Sequence, residues 1–221
     1  MERRLAAIDP LGRVRKRRSA PGLRVIQRKL LGALFAIFGL MLGADAAAGT
    51  PAGTVIEVSG SYTDRGRALH PGDTVQIGDP LDVLAGGSLK VRMADGSLIS
   101  VASGTSIIVA NYDSVGSARA PKLLLTQGLV RVTSVTRPFA VSTAVGTASA
   151  GSDSADWFIK VEAGSAQVGV LAGVVDLTSS PTGTSVSIPA RWGTRLEAGR
   201  APMPPRVWNQ MEFNAVRRVT E

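Results

Sequence analysis

The sequence predicts an all-β fold, a sandwich- or solenoid-like stack of short antiparallel strands and hairpins, with an N-terminal signal peptide and a short C-terminal helix or tail. Three observations carry this reading. Within Ser88 to Ile108, Leu89, Val91 and Met93 alternate with Lys90 and Arg92, the period of a strand with one buried and one wet face. Asp95 and Gly96 then stand where a tight hairpin needs positive φ, and Leu98, Ile99 and Val101 carry the chain back. The pattern recurs at Phe158 to Leu171, where Ala163, Gly164 and Ser165 separate two alternating runs. A lone hairpin cannot bury its own apolar face, so such units are stable only when stacked into a larger sheet system.

The chain divides into a basic leader and signal peptide (1–48), a β domain (53–199) and a Pro-rich C-terminal tail (200–221). After Arg28 and Lys29 comes the uncharged run Leu30 to Gly43, ending in the small residues Ala44 to Ala48, which offer an A-x-A exit after Ala46 or Ala48. Basic flank, apolar core and small exit together describe a secretory signal peptide. The run is shorter than the roughly 20 apolar residues of a bilayer span, but extended through Ala48 it approaches that length. The predicted location is therefore the periplasm, the alternative being an uncleaved leader anchored in the inner membrane; the positive flank stays cytoplasmic either way. That leader is the one membrane contact expected.

The formal charge of +8 lies wholly in this leader: residues 1–30 hold 10 Lys or Arg against 2 acids, and the remainder holds 15 of each. A nucleic-acid-binding domain carries its basic patch on the folded part, with aromatics to stack on bases. Here the folded part is neutral and aromatics make up 5% of the chain, so no nucleic-acid partner is expected. The absence of cysteine excludes disulfides, thiolate metal sites and cysteine nucleophiles.

In chain order, Thr54 to Val58 reads as a first strand, Ser61 to Gly66 as a turn, and His70 to Asp73 as a turn before Val75 and Ile77. Gly78, Asp79 and Pro80 turn into Leu81, Val83 and Leu84, and the hairpin around Asp95 follows. Ile107 to Tyr112 is a strand running into the small polar segment 113–120; Leu123 to Leu125 resumes the sheet, and Gln127 and Gly128 turn it into Leu129 to Val135. Arg137 to Thr143 gives another strand, Thr147 to Asp156 a loop, and Trp157 to Val161, Gln167 to Leu171, Val174 to Leu177 and Ser185 to Ile188 the rest. Short strands closed by turn residues indicate a sandwich, barrel or solenoid. After Pro202, Pro204 and Pro205, Val207 to Val219 has Trp208, Met211 and Ala215 at helical spacing, a helix that docks on the sheet or lies free.

The order of these motifs resembles the FecR domain, an all-β module of the bacterial periplasm, over about Gly53 to Gly199. The matching residues are Leu69, Pro71, Gly72, Asp73, Val75 and Gly78; the hairpin tip Asp95, Gly96 and Ser97, leading to Ser106 and Ile107; Leu125, Gly128 and Val130; Arg137, Pro138, Phe139, Val141 and Thr143; and the closing Val161, Gly164, Val168, Val170, Gly173 and Val175, finished by Gly193, Leu196 and Gly199. In the family a glycine-threonine pair leads directly into a strand after the Val145 and Gly146 step. Here Gly151 and Ser152 precede Asp153 to Asp156, so that region reads as altered or lengthened. The best-known members relay a signal from an outer-membrane transporter to a sigma factor. The leader, broken by Pro10, Gly12, Pro21 and Gly22, is too short for their helical anti-sigma unit, so the resemblance implies a stand-alone exported module.

Candidate chemistry is sparse. His70 beside Asp73 suggests a dyad, yet no serine sits in a strained elbow, and a turn histidine explains the position. Asp64, Asp79, Asp95, Asp153 and Asp156 lack the dense oxygen spacing of a calcium loop and suit turns. Gly86 and Gly87 precede no helix, so they make no phosphate cradle. Lys90 and Arg92, with Arg131, form a candidate basic interaction face for an anionic glycan or partner; a solvated, edge-protecting face is the competing reading. No catalytic, metal or cofactor residue is expected. The expectation is a non-enzymatic interaction or ligand-sensing module that meets an envelope protein or polymer. The rivals are a membrane-tethered signal-transduction component and, behind it, an envelope-polymer enzyme.

Overall fold

The computed structural model describes residues 49–63, 66–111, 122–135, 138–151 and 153–221. The leader and signal peptide, Asp64, the segment 113–120, Arg137 and Ser152 fall outside the described residues. The strands are β1 (Pro51–Thr63), β2 (Thr74–Gln76), β3 (Pro80–Met93), β4 (Leu98–Val101), β5 (Thr105–Asn111), β6 (Lys122–Ser134), β7 (Phe139–Ser142), β8 (Gly146–Ala150), β9 (Ala155–Glu162), β10 (Ser165–Ala172), β11 (Val174–Ser179), β12 (Ser185–Pro189), β13 (Trp192–Glu197) and β14 (Arg206–Val207). One helix, α1 (Gln210–Thr220), follows.

The pairing describes a sandwich cut from one continuous sheet. A first layer runs β2-β1-β3-β4-β6-β9-β10-β13-β14. A second runs β1-β3-β5-β6-β7-β8-β11-β12. Every pair is antiparallel except β6 with β7. The long strands β1, β3 and β6 belong to both layers: Leu89 to Arg92 of β3 pair with β4, while Pro80 to Val83 pair with β5. Strands that change layer in this way make the corners of a sandwich.

Here the structure corrects the reading from sequence. Leu81 to Leu84 and Leu89 to Met93 are one strand, as are Leu123 to Leu125 and Leu129 to Ser134, and what reads as a turn at Gln127 and Gly128 is a bend. Gly86 (φ 80°) and Gly128 (φ 90°) adopt left-handed backbone at the two bends, which glycine enters at no steric cost. Hydroxyls of Ser103 in the β4–β5 turn and Thr105 at the start of β5 stitch both places where the ladder opens. Ser103 Oγ accepts from Gly86 N at 2.7 Å, and the buried Thr105 Oγ1 accepts from Leu129 N at 2.9 Å while donating to Leu129 O at 3.3 Å.

The stretch Thr147 to Asp156 also differs from the loop expected. Gly146–Ala150 is a strand whose Ala148 and Ala150 point into the core, and Gly146 and Thr147 are the glycine-threonine pair that opens it. The hairpin at Asp95 is as read: Leu89, Val91 and Met93 are buried, and Asp95 Oδ1 accepts from Ser97 N at 2.8 Å across the tip. Between the layers lies a single apolar core, with Val91, Ile99, Val132, Trp157 and Leu196 from the first and Leu81, Ile107, Phe139 and Leu177 from the second. Burying a side chain such as Phe139 stabilises the fold by about 1.5–3 kcal/mol.

Candidate functional site: a helix-flanked groove on the first layer

Residues on the outer face of the first layer fall in register rows. The central row reads Glu57, Lys90, Ser100, Arg131, Phe158, Gly169, Gly193 across seven strands. It is charged at one end and aromatic, then bare, at the other. The neighbouring glycines Gly169 and Gly193 leave a hollow. A Cβ on Gly169 would stand 2.5 Å from the Phe158 ring, and one on Gly193 would strike the indole of Trp208. Trp208 fills the hollow, its ring centroid 5.3 Å from that of Phe158.

Trp208 is delivered there by the start of α1. Asn209 is the N-cap, accepting from Glu212 N at 3.0 Å, while Glu212 Oε2 accepts from Asn209 N at 2.8 Å, a capping box. Trp208 before the cap and Phe213 inside the first turn meet at 5.6 Å, the hydrophobic staple that fixes how the chain enters a helix. The apolar face of α1 is thus Phe213, Val216 and Thr220, not the Trp208, Met211 and Ala215 face read from spacing, because the cap starts the helix at Gln210. Met211 and Ala215 face solvent. Arg206 pairs with Glu212 and lies 5.7 Å from the Trp208 ring. That guanidinium, aided by the Asn209 N–H, holds the Glu212 carboxyl below the usual glutamate range.

Ala102, Leu129, Phe158, Trp208, Phe213 and Val216 form a second apolar cluster outside the main core. Beside it α1 leaves a groove of about 930 Å³. One wall is Ala215 and Val219 of the helix, the other is the β9–β10 hairpin from Lys160 to Gln167, and one end is Ser103 and Gly104 of the stitching turn. The hairpin charges neutralise each other, Lys160 Nζ lying 2.6 Å from Glu162 Oε1.

The basic residues singled out from sequence share this face. Lys90 and Arg131 flank Ser100 in the central row, and Arg92 stands two residues on, exposed. Lys90 Nζ lies 2.8 Å from Glu57 Oε2 and donates to the main-chain oxygen of Glu221 at 2.8 Å. Arg131 grips Asp156 through two bonds of 2.9 Å and reaches Glu221 Oε1 at 3.3 Å. The Asp156 bonds raise the affinity of Arg131 for its proton. Two of the three cations thus hold the end of α1.

The other candidates sit apart. Asp73 Oδ2 accepts from His70 N at 3.0 Å and from Arg67 at 3.2 Å, with His70 Nδ1 3.8 Å away in an exposed turn. Asp79 Oδ2 accepts from Gln76 N at 2.9 Å, and Asp153 is exposed at a bend. The groove and the Trp208 hollow escaped sequence reading, although the Asn209 and Glu212 spacing between Trp208 and Phe213 carried a signal for the latter.

Residues 79–176 match the family model described as FecR protein. Over that span the chain is similar to the FecR domain. The matched span runs from the turn before β3 into β11, so it supplies the bends, Arg131, Phe158 and Gly169, while Gly193, Trp208 and α1 come after it. Two crystal structures of candidate anti-sigma factors from Parabacteroides distasonis ATCC 8503 share the fold. One has TM-score 0.51 and 15% identity over 62% of this chain and 63% of its own; the other has 0.52 and 13% over 62% of each. This chain therefore spans less than two thirds of those proteins. No curated protein matches the sequence.

Proposed function

We propose that this FecR-like chain is a non-catalytic binding module of the bacterial cell envelope, exported to the periplasm, and that it takes a protein or polymer segment in the groove beside α1. The observation that carries the reading is the groove's construction: an apolar helix flank faces a hairpin whose two charges are already paired, over a floor of Leu129, Phe158 and Trp208. Such a surface suits an amphipathic segment bound by burial rather than a small charged ligand. Fold likeness to candidate anti-sigma factors supports a protein as the partner, and the Leu30 to Gly43 run after a basic flank supports export.

Photo-crosslinking side chains at Val219 and Gln127, which line the groove, should capture an envelope component, while one at Asp176 on the second layer should not. Equal capture at Asp176 would overturn the site. The N-terminal mass of the recovered chain tests the location: a start at Ala47 or Gly49 in the soluble periplasmic fraction supports export and release, and an intact leader in the membrane fraction replaces release with tethering. Among the described residues no helix is long and apolar enough to cross a membrane.

A further inference from the structure

Residues 204–221 form a strap laid on the outer face of the first layer. No residue beyond Leu196 enters the main core. Trp208, Phe213 and Val216 instead join a separate cluster with Ala102 of the β4–β5 turn and Leu129 and Phe158 of the sheet, against which the half-buried Leu171 packs. The hollow that receives Trp208 lies over the backbone of Gly193, with Gly169 beside it under the Phe158 ring. The connection is fastened at Met203, whose N donates to Arg195 O at 2.9 Å and whose O accepts from Thr194 Oγ1 at 2.5 Å, and beyond it only by the short β13–β14 ladder at Val207 and Arg206 and by Trp208 N donating to Arg191 O at 3.1 Å. Past Met203 come Pro204 and Pro205, then the two-residue strand β14 and α1.

The far end of the strap is an imperfect fit. The sheet offers Lys90, Arg92 and Arg131 there; Lys90 already pairs with Glu57 and Arg131 with Asp156, and to this row the strap adds one acid, Glu221, while bringing Arg217 and Arg218 in the same turn. Arg217 Nε is 4.0 Å from Glu221, so it competes with Lys90 and Arg131 for that one residue. A helix with acids in place of these arginines complements the sheet better.

We propose that the outer face of the first layer is a receptor for a tryptophan-bearing amphipathic helix with an acidic end, and that residues 204–221 are its cis occupant, a strap displaced by a partner helix of that chemistry. This rests on the reading of the first layer's outer face as a binding surface, with the partner helix taking the place of α1 rather than lying in the groove beside it. Tethering gives the strap an effective concentration of order millimolar, so a partner must bind the bare face well enough to outcompete it.

The test uses the full chain with Trp208→Ala, and Phe213→Ala as a second opened variant. Hydrogen exchange should accelerate in 204–221 and leave β3, β6 and β9 protected. A synthetic peptide of residues 204–221, followed by its own Trp208 fluorescence, should bind each opened chain at least about tenfold more tightly than wild type, the competition expected of a tethered occupant. The same peptide with Arg217→Glu and Arg218→Glu should bind tighter still at low salt, with the gain lost at high salt. Loss of protection throughout the sandwich in both variants would make the strap part of the fold and overturn the proposal, as would a peptide that binds neither opened chain. An arginine-to-glutamate peptide no tighter than the parent would remove the acidic-end specificity. None of these outcomes depends on an envelope partner: strap failure leaves the groove crosslinks standing, and failure of the crosslinks leaves peptide binding measurable.

Discussion

The two layers turn opposite surfaces outward. On the second, hydroxyls answer hydroxyls along a register row: Ser142 and Thr147 are 2.8 Å apart, Thr178 and Ser185 are 3.1 Å apart, and Thr147 pairs with Thr178 between them. Such a face satisfies itself and tolerates water. On the first, Leu129 and Phe158 point outward beside two glycines, and an apolar patch of that kind needs a cover. The lesson is that one continuous sheet has a finished face and a face that depends on what lies on it, and the chain supplies that cover from outside the segment matched to FecR.

The largest effect should come from the core that both faces share. Phe139→Ala should cost about 3–5 kcal/mol and unfold both layers together, read as a lowered urea midpoint with one transition. Trp157→Phe probes the same core. The Trp157 Nε1 is buried without a hydrogen-bond partner, so removing that donor offsets part of the lost packing, and the cost should fall well short of the alanine value.

Next is the cover alone. Gly193→Ala places a methyl against the Trp208 indole and should cost about 1–3 kcal/mol by overpacking. Its effect should appear as faster exchange in α1 before any change in β7 or β11. Asn209→Ala removes the helix cap for about 1 kcal/mol with the same locality. Acid should act at this point too. Glu212 titrates lower in the folded chain than in the unfolded one, so its stabilising contribution is complete above the unfolded value of about 4.3 and is lost as pH falls through the lower folded value. Glu212→Gln should abolish that acid dependence of α1 exchange while leaving the second layer unchanged.

How much of this was legible follows from how local each cause is. The hairpin at Asp95 was readable because alternation and tip lie within a dozen residues. The FecR order was readable because it is a sequence of such local signals. The bends at Gly86 and Gly128 were not, since a left-handed glycine looks the same in a turn and in a bend, and what decides is stitching by Ser103 and Thr105 from elsewhere in the chain. Strand β8 was missed because Ala148 and Ala150 are too small to mark a buried face by hydropathy. Lys90 and Arg131 share one face, and their acidic partners stand far off in the chain: Asp156 is 25 residues from Arg131, and Glu221 is 131 residues from Lys90.

The smallest effect decides whether the finished face is inert or merely unoccupied. Thr178→Val removes one hydroxyl from the row, replaces it with a methyl of similar volume and good strand propensity, and leaves Ser185 free to bond water. Because the face is wet in the folded chain, no donor is stranded without a partner, and the change in stability should stay within about 0.5 kcal/mol. The same substitution should leave α1 exchange and peptide binding at the first layer untouched, since Thr178 faces away from both. If Thr178→Val instead loosened α1 or shifted peptide affinity, the two faces would be coupled through the shared strands β3 and β6, and the first layer could no longer be treated as a receptor that opens while the second stays fixed.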